Sequence, residues 1–310
     1  MFEKKVPLFV YCVSPVHMGA GSSIGIIDNP IQRERHTDYP QIAGSGLKGA
    51  VRHHFLAYMK GDKEKIQLLE RAFGPSPDAG DEFAGAVSFS DAQILAFPVR
   101  CTTRAFVYAT SPTVMAKALR VLELSEMKVD WGTIPTPTEG SCATAGLFEK
   151  GKVLLENFEF TCAQSEPVKR AAAWLAEKAL PAGEAFDFFR NKLKYDLVLL
   201  PEEDFSYFVR NATVVEPHVR ISDESGTAED GGLFYTENLP PESILITLLM
   251  ASKERTRDRG LEASQVCDWT LHGKGEQVSD AFKGLDGQMI QIGGDATTGR
   301  GQVFFKAVTA

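Results

Sequence analysis

Three stretches of the sequence bring together side chains able to hold or transform a phosphate group. The first runs from Asp28-Asn29-Pro30 through Arg33-Glu34-Arg35-His36 to Asp38 and Pro40, then into Ala43-Gly44-Ser45-Gly46-Leu47-Lys48 and on to Arg52. Ser45 is suited to cap a helix in which Leu47, Ala50, Val51, Phe55, Tyr58 and Met59 recur at the i, i+3, i+4 spacing of one apolar face. Free N–H groups and the positive dipole end make Ser45–Lys48 a phosphate seat, with Lys48 and Arg52 one turn apart beside it. Basic groups strung along a line suit a polyanion better than a small anion. The same spacing also describes a solvated helix flank.

The second stretch is the glycine-rich Gly293-Gly294-Asp295-Ala296-Thr297-Thr298-Gly299-Arg300-Gly301. Its backbone N–H groups, threonine hydroxyls and Arg300 could wrap a phosphate as a nest, or form an ordinary turn. The third, Gly19-Ala20-Gly21-Ser22-Ser23-Ile24-Gly25, follows a strand-like run as dinucleotide-binding loops do. That chemistry requires a helix directly after the glycines, and Ile26-Ile27-Asp28-Asn29-Pro30 does not begin one. A nicotinamide or flavin site is therefore not expected.

The surrounding elements must position these groups. Residues 8–13 form a compact apolar and β-branched run, a buried strand ending at Ser14-Pro15. Residues 17–44 fit neither helix nor strand, and a loop of that length in a compact domain is usually functional or disordered. Strands are expected at 85–89, 99–109, 152–161, 243–252, 289–292 and 303–308. Helices are expected from Ser111-Pro112 to about residue 127, and over 168–180 and 184–193. Residues 212–221 and 232–239 form two extended arms around a polar tip, a projecting hairpin. The order suits an α+β fold with a ferredoxin-like, RNA-recognition-motif-like core, a split βαβ unit used twice.

At 310 residues and 44% hydrophobic the chain can bury a substantial core. It offers no apolar run near the ~20 residues that cross a bilayer, and no signal-peptide core follows its first residues. Its five cysteines are odd in number and form neither a CxxC pair nor a zinc pattern, as expected in a reducing cytoplasm. The net charge of -8 excludes an indiscriminate nucleic-acid binder, so any RNA contact must rest on local basic clusters. In the series Lys253-Glu254-Arg255-Thr256-Arg257-Asp258-Arg259 the interleaved acids suit an exposed ion-pair face.

Taken in order, His17 to Gly21, Asp28 to Thr37, Pro40 to Arg52 and the glycine-rich closing loop resemble the backbone RAMP subunits of Cmr, or type III-B, CRISPR effector complexes. The resemblance implies a single RAMP domain over residues 1–310. It divides into a palm (1–59, 85–211 and 240–310), a helical and loop insertion (60–84) and a thumb hairpin (212–239). It implies a cytoplasmic subunit that polymerises along guide RNA with neighbouring copies in a helical filament, joins other Cmr subunits, and cleaves complementary target RNA at regular intervals. Asp28 is then the implied catalytic residue, either as a base or as ligand to a divalent metal, taken as Mg. His17 matches a histidine near the cut, though by itself it reads as a strand-end histidine bonded to backbone, and Glu237 and Tyr235 are further implied catalytic groups. Ser45, Lys48 and Arg52 would hold the guide backbone, supported by Gly293, Gly294 and Arg300. The alternative is a non-catalytic structural protomer binding the same guide. A hairpin carrying Val219, Ile221, Leu233 and Phe234 cannot bury both faces alone, which agrees with a neighbouring subunit.

Overall fold

The computed structural model describes residues 2–23, 25–76, 83–256, 260–273 and 282–308; part of the expected insertion and Arg257-Asp258-Arg259 lie outside the described residues. From the amino end the chain forms β1 (Lys4–Cys12), β2 (Gln41–Ile42), α1 (Gly44–Met59), α2 (Lys63–Phe73), β3 (Val87–Phe89), β4 (Ala92–Cys101), β5 (Ala105–Thr110) and α3 (Pro112–Leu124). It continues through β6 (Ser141–Thr144), β7 (Lys152–Leu155), β8 (Phe158–Gln164), α4 (Glu166–Lys178), α5 (Glu184–Asp196), β9 (Leu197–Leu199) and α6 (Glu202–Asn211). It ends with β10 (Val214–Ile221), β11 (Ala228–Asn238), β12 (Ile244–Ala251), α7 (Ala263–His272), β13 (Met289–Gln291) and β14 (Gln302–Ala307). No helix among the described residues is long and apolar enough to cross a membrane.

The main sheet runs β13-β14-β1-β12-β4, with β3 added on β12 and β2 on β4, and every pairing within it is antiparallel. β1 is buried from Pro7 to Cys12 because it is central and covered on both faces. Helices α1, α2 and α7 are held together by an aromatic cluster. Phe55 meets Phe282 at 4.7 Å, Trp269 at 5.5 Å and Phe73 at 5.6 Å, all edge to face.

The start of α1 differs from expectation. Ser45 does not cap it; the helix begins one residue earlier, and the Gly44 N–H donates to Asp91 Oδ1 at 2.8 Å. A distant carboxylate thus supplies the acceptor expected from Ser45, which stays exposed in the first turn. Gly44 is required there by close approach, since a Cβ would meet the Phe89 carbonyl oxygen at 2.3 Å.

A second structure shares β4 with the main sheet. The strands β4-β5-β9-β6-β8-β7 return to β4 through the single pair Cys101↔Leu155, closing a barrel-like ring of six. The run expected as one strand over 99–109 is divided between β4 and β5, and that over 152–161 between β7 and β8, where Glu156 turns the chain with φ 49°. The short strands β6 and β9 carry too few residues for a period to show. Ser111 caps α3 as expected, accepting from the Val114 N–H at 3.4 Å, with Pro112 at the first helical position.

Strands β10 and β11 pair with each other as a separate two-stranded sheet, so the hairpin projects as expected. Val215, Val219, Ile221 and Leu233 are exposed on it, and the Phe234 ring stacks on His218 at 5.2 Å.

Replacing Gly44 by Ala is expected to cost about 2 kcal/mol or more, because backbone must move to admit the methyl group. Gly46→Ala, where nothing lies within 4 Å of the added atom, should leave stability unchanged or raised. Urea unfolding of both variants checks the contrast.

Candidate functional site

The segment between β1 and α1 is irregular but pinned. It makes the isolated bridges Val16↔Leu239, Gly19↔Ile31, Asn29↔Thr236 and Arg33↔Pro40. Asn29↔Thr236 fastens it to the edge of β11 away from β10, and Val16↔Leu239 fastens it to the residue directly after that strand. The Asn29 N–H donates to the Tyr235 carbonyl at 3.0 Å, and the Glu237 N–H donates to the Asn29 carbonyl at 3.0 Å.

Asp28 sits at the start of this contact. Its Oδ2 accepts from the Tyr235 N–H at 2.7 Å, and its other oxygen has no protein partner among the described residues. The carboxylate is half-buried, at the foot of an exposed loop whose Ile26 is 91% exposed. One oxygen therefore orients the group while the other stays available.

His17 lies on the same edge. Its Nδ1 is 2.7 Å from the Glu237 carbonyl oxygen, which can only accept, so Nδ1 carries the proton and Nε2 is left with its lone pair. The ring rests in a slot between two glycines: a Cβ on Gly19 would meet Nε2 at 3.0 Å, and one on Gly294 would meet Cδ2 at 3.3 Å. Because Tyr235 and Glu237 are two residues apart on one strand, their groups on this edge are spaced by roughly 7 Å. The backbone-bonded strand-end histidine and the aspartate thus face one stretch of β11.

The closing loop holds this histidine. The Gly294 N–H donates to the His17 carbonyl at 2.9 Å, and Gly293 has φ +74°, with room for no Cβ since one would meet that carbonyl oxygen at 2.2 Å. Arg300 Nη2 lies 2.6 and 2.7 Å from the two Glu216 oxygens on β10. The Gly294 N–H and the Arg300 charge, expected at phosphate, are taken up within the protein, where they tie the loop to His17 and the hairpin base.

Glu237 also differs from its expected place. Its carboxylate is buried, with Oε1 accepting from Arg33 Nη2 at 2.6 Å and Thr213 Oγ1 at 2.8 Å, and Oε2 accepting from the Ile31 N–H at 3.0 Å. Both oxygens are occupied. Arg33 Nη1 continues to the carbonyls of Asp38 at 2.9 Å and Val209 at 3.0 Å. Tyr235 contributes its backbone to Asp28 and Asn29, and its side chain is half-buried. Thr213 and Lys117 were not singled out from the sequence, and Arg33 appeared there only within the phosphate-holding stretch, since their partners Glu237 and Glu34 lie far away along the chain and leave no local pattern.

Glu34 forms a second anchor. It is 5% exposed, and its Oε2 accepts from Lys117 Nζ at 2.5 Å and Thr37 Oγ1 at 2.6 Å. Burial pushes its carboxyl up, but the Lys117 and Thr37 hydrogen bonds outweigh it and hold the group below its ordinary 4.5.

On α1, Lys48 and Arg52 are half-buried, and Ser45, Gly46 and Gly49 are exposed beside them. Burial, with Arg255 and Arg52 close by, holds Lys48 below its ordinary 10.5. Among the described residues none of these three cations is ion-paired, while Lys253 is bound to Glu262 at 2.8 Å. Arg255, whose guanidinium lies 5.6 Å from the Phe2 ring centroid, therefore leaves the expected ion-pair face and joins the helix cluster. A protein of net charge -8 here concentrates positive charge where burial already disfavours it.

Fold and site together define an α+β protein in which a projecting hairpin clamps a loop carrying an oriented carboxylate, followed in the chain by a helix whose cations have no ion-pair partner among the described residues. A sequence profile of the RAMP superfamily matches residues 9–304, and the chain belongs to that superfamily. The protein named "CRISPR system Cmr endoribonuclease Cmr4" of Pyrococcus furiosus is 33% identical over 304 residues, covering 97% of this chain and 95% of its own length. The "Crystal structure of oligomeric Cmr4 from Pyrococcus furiosus" aligns with TM-score 0.72 at 26% identity over 99% of both chains. The "Cryo-EM structure of the Type III-B Cmr-beta bound to cognate target RNA" shares the fold, with TM-score 0.71 at 19% identity over 99% of this chain and 98% of that one.

Ionised Glu34 contributes stability that is complete above about pH 4.5 and fades as pH falls through its lower folded value. Glu34→Gln is expected to lower stability by about 2 kcal/mol at neutral pH. It should also flatten the fall in Tm between about pH 5 and pH 3. Thermal melts across that range test this, and an unchanged slope would refute it.

Proposed function

We propose that this chain is a guide-RNA-binding backbone subunit of a type III-B (Cmr) CRISPR effector, and that it cuts complementary target RNA with Asp28 at regular intervals. The observation that carries the catalytic part is the Asp28 carboxylate, oriented through one oxygen by the Tyr235 N–H with the other lacking a partner among the described residues. In RNA the 2′-hydroxyl can attack the adjacent phosphorus when the backbone is splayed into line. The free Asp28 oxygen takes the 2′ proton as the 2′-O–P bond forms and the P–O5′ bond breaks. His17, fixed through Nδ1, offers Nε2 on the same edge; once protonated there, it delivers a proton to the departing 5′ oxygen. Glu237, with both oxygens occupied, acts as a positioning residue for this loop.

A divalent metal, taken as Mg, would rest on Asp28 and on RNA oxygens. Among the described residues no group of three carboxylate, histidine or cysteine side chains converges to cage one, and Mg commonly uses one or two carboxylates plus substrate phosphates. Such an ion would neutralise charge on the phosphoryl oxygens.

Guide RNA is held by Lys48 and Arg52 of α1 and by Arg255 close beside them, with Ser45 exposed in the first turn next to the Gly44 N–H that Asp91 already satisfies. The strand order β14-β1-β12-β4, with α1 following β1 and α7 following β12, supports a ferredoxin-like palm. β10 and β11 serve as the thumb and α2 lies in the insertion, within a single RAMP domain. The apolar residues exposed on the thumb favour docking to a neighbouring copy in a helical filament alongside other Cmr subunits. Five free thiols suit the cytoplasm.

In a complex reconstituted with guide, Asp28→Asn is expected to slow cutting of end-labelled complementary RNA by about 100-fold or more while guide retention is unchanged. Undiminished cutting would sink the catalytic assignment and leave a structural protomer. Arg52→Ala should weaken guide binding about equally for unrelated guide sequences and reduce the slope of log K against log salt by about one. Titrations at several salt concentrations measure both.

A further inference from the structure

Cys142 of β6 and Cys162 of β8 are direct register partners on neighbouring parallel strands. Side chains of such partners stand on the same face of the sheet. Cys142 is buried at 4% exposure, and Cys162 shares by alternation the face of Phe160, which is buried at 2%. Cys162 itself is only partly covered. Both thiols are free. Adjacent strands hold Cα atoms about 4.8 Å apart, inside the roughly 4.4–6.8 Å that a disulfide spans.

We propose that Cys142 and Cys162 form a reversible dithiol–disulfide site that takes a low-molecular-weight disulfide as its oxidant. The Cys162 thiolate, the more accessible, attacks one sulfur of that disulfide, forming a mixed disulfide and expelling one thiolate. The Cys142 thiolate then attacks the Cys162 sulfur, forming the internal S–S bond and expelling the second thiolate. The two protons lost by the protein thiols end on the two expelled thiols, so the added disulfide is reduced as the protein pair is oxidised. Burial raises both thiols above their ordinary 9.0, with Asp204 of α6 adding to the effect at Cys142, so the exchange is slower than at an exposed thiol.

The consequence is mechanical. The ring closes onto the end of β4 through the Cys101↔Leu155 pair and two flanking backbone bonds, from the Thr102 N–H to the Leu154 carbonyl and from the Glu156 N–H to the Arg100 carbonyl, so the hairpin of β7 and β8 leans chiefly on its longer pairing with β6. A bond between Cys142 and Cys162 closes a loop of about 20 residues and fastens that hairpin covalently.

The test equilibrates the full-length protein with graded mixtures of oxidised and reduced glutathione. After acid quenching, the protein is alkylated in denaturant and cut with trypsin, which separates the two cysteines at Lys150 and Lys152. The expected result is joint loss of two alkylatable thiols, a linked peptide pair holding Cys142 and Cys162, and a Tm rise of roughly 5 °C. Cys162→Ser should abolish both the link and the rise. A stable glutathione adduct on Cys162 without a link, alkylation of all five cysteines, or an equal Tm rise in Cys162→Ser would each overturn the proposal.

Discussion

Glu237 is a carboxylate on a strand that leaves the body of the protein, yet it is buried and its two oxygens accept from Arg33, Thr213 and the Ile31 N–H. Burying an ion costs several kcal/mol unless its lone pairs are met, and here three donors from two separate parts of the chain meet them. Because Ile31 and Arg33 follow Asp28 closely, satisfying Glu237 also fixes where the Asp28 and Asn29 groups meet β11. The neighbouring backbone of Tyr235 and Glu237 then receives Asp28 and His17. The placing of Asp28 and His17 on this edge is thus set by a residue whose own two oxygens are fully occupied.

The same economy joins the main sheet to the ring. Glu242, at φ 72°, accepts from the Tyr11 hydroxyl of β1 at 2.5 Å and the Tyr108 hydroxyl of β5 at 2.8 Å. Burial raises both tyrosines and Glu242, and the two hydroxyls compensate the carboxylate. Sheet and ring therefore share a polar tie as well as β4. The ring in turn leads through β9 and α6 into the hairpin, and the Val209 carbonyl near the end of α6 accepts from Arg33. Loop, ring and hairpin meet at one guanidinium.

Charge is partitioned in a way that net charge conceals. Glu34, Glu216 and Glu237 are matched to Lys117, Arg300 and Arg33 and so contribute little field outside. Lys48, Arg52 and Arg255 are left mutually repelling on and beside one helix. A polyanion laid there would relieve that repulsion.

Much of this was legible in the sequence where the signal is local. The apolar run of β1, the periodic face of α1, the Ser111-Pro112 start of α3 and the two arms of the hairpin each carry their own pattern. The ordered motifs from His17 to Arg52 are local as well, whereas the lack of an ion-pair partner for Lys48 and Arg52 among the described residues could be seen only in the folded chain. Partner choice was beyond reach. That Asp91 and not Ser45 meets the first helical N–H, that Arg300 is claimed by Glu216, that Glu237 is buried, and that Arg255 joins α1 all depend on contacts between residues distant in sequence. A residue's type fixes which hydrogen bonds and charges it can offer; only the folded chain decides which partner reaches it first, and so which groups hold loop and hairpin together and which keep their charge exposed.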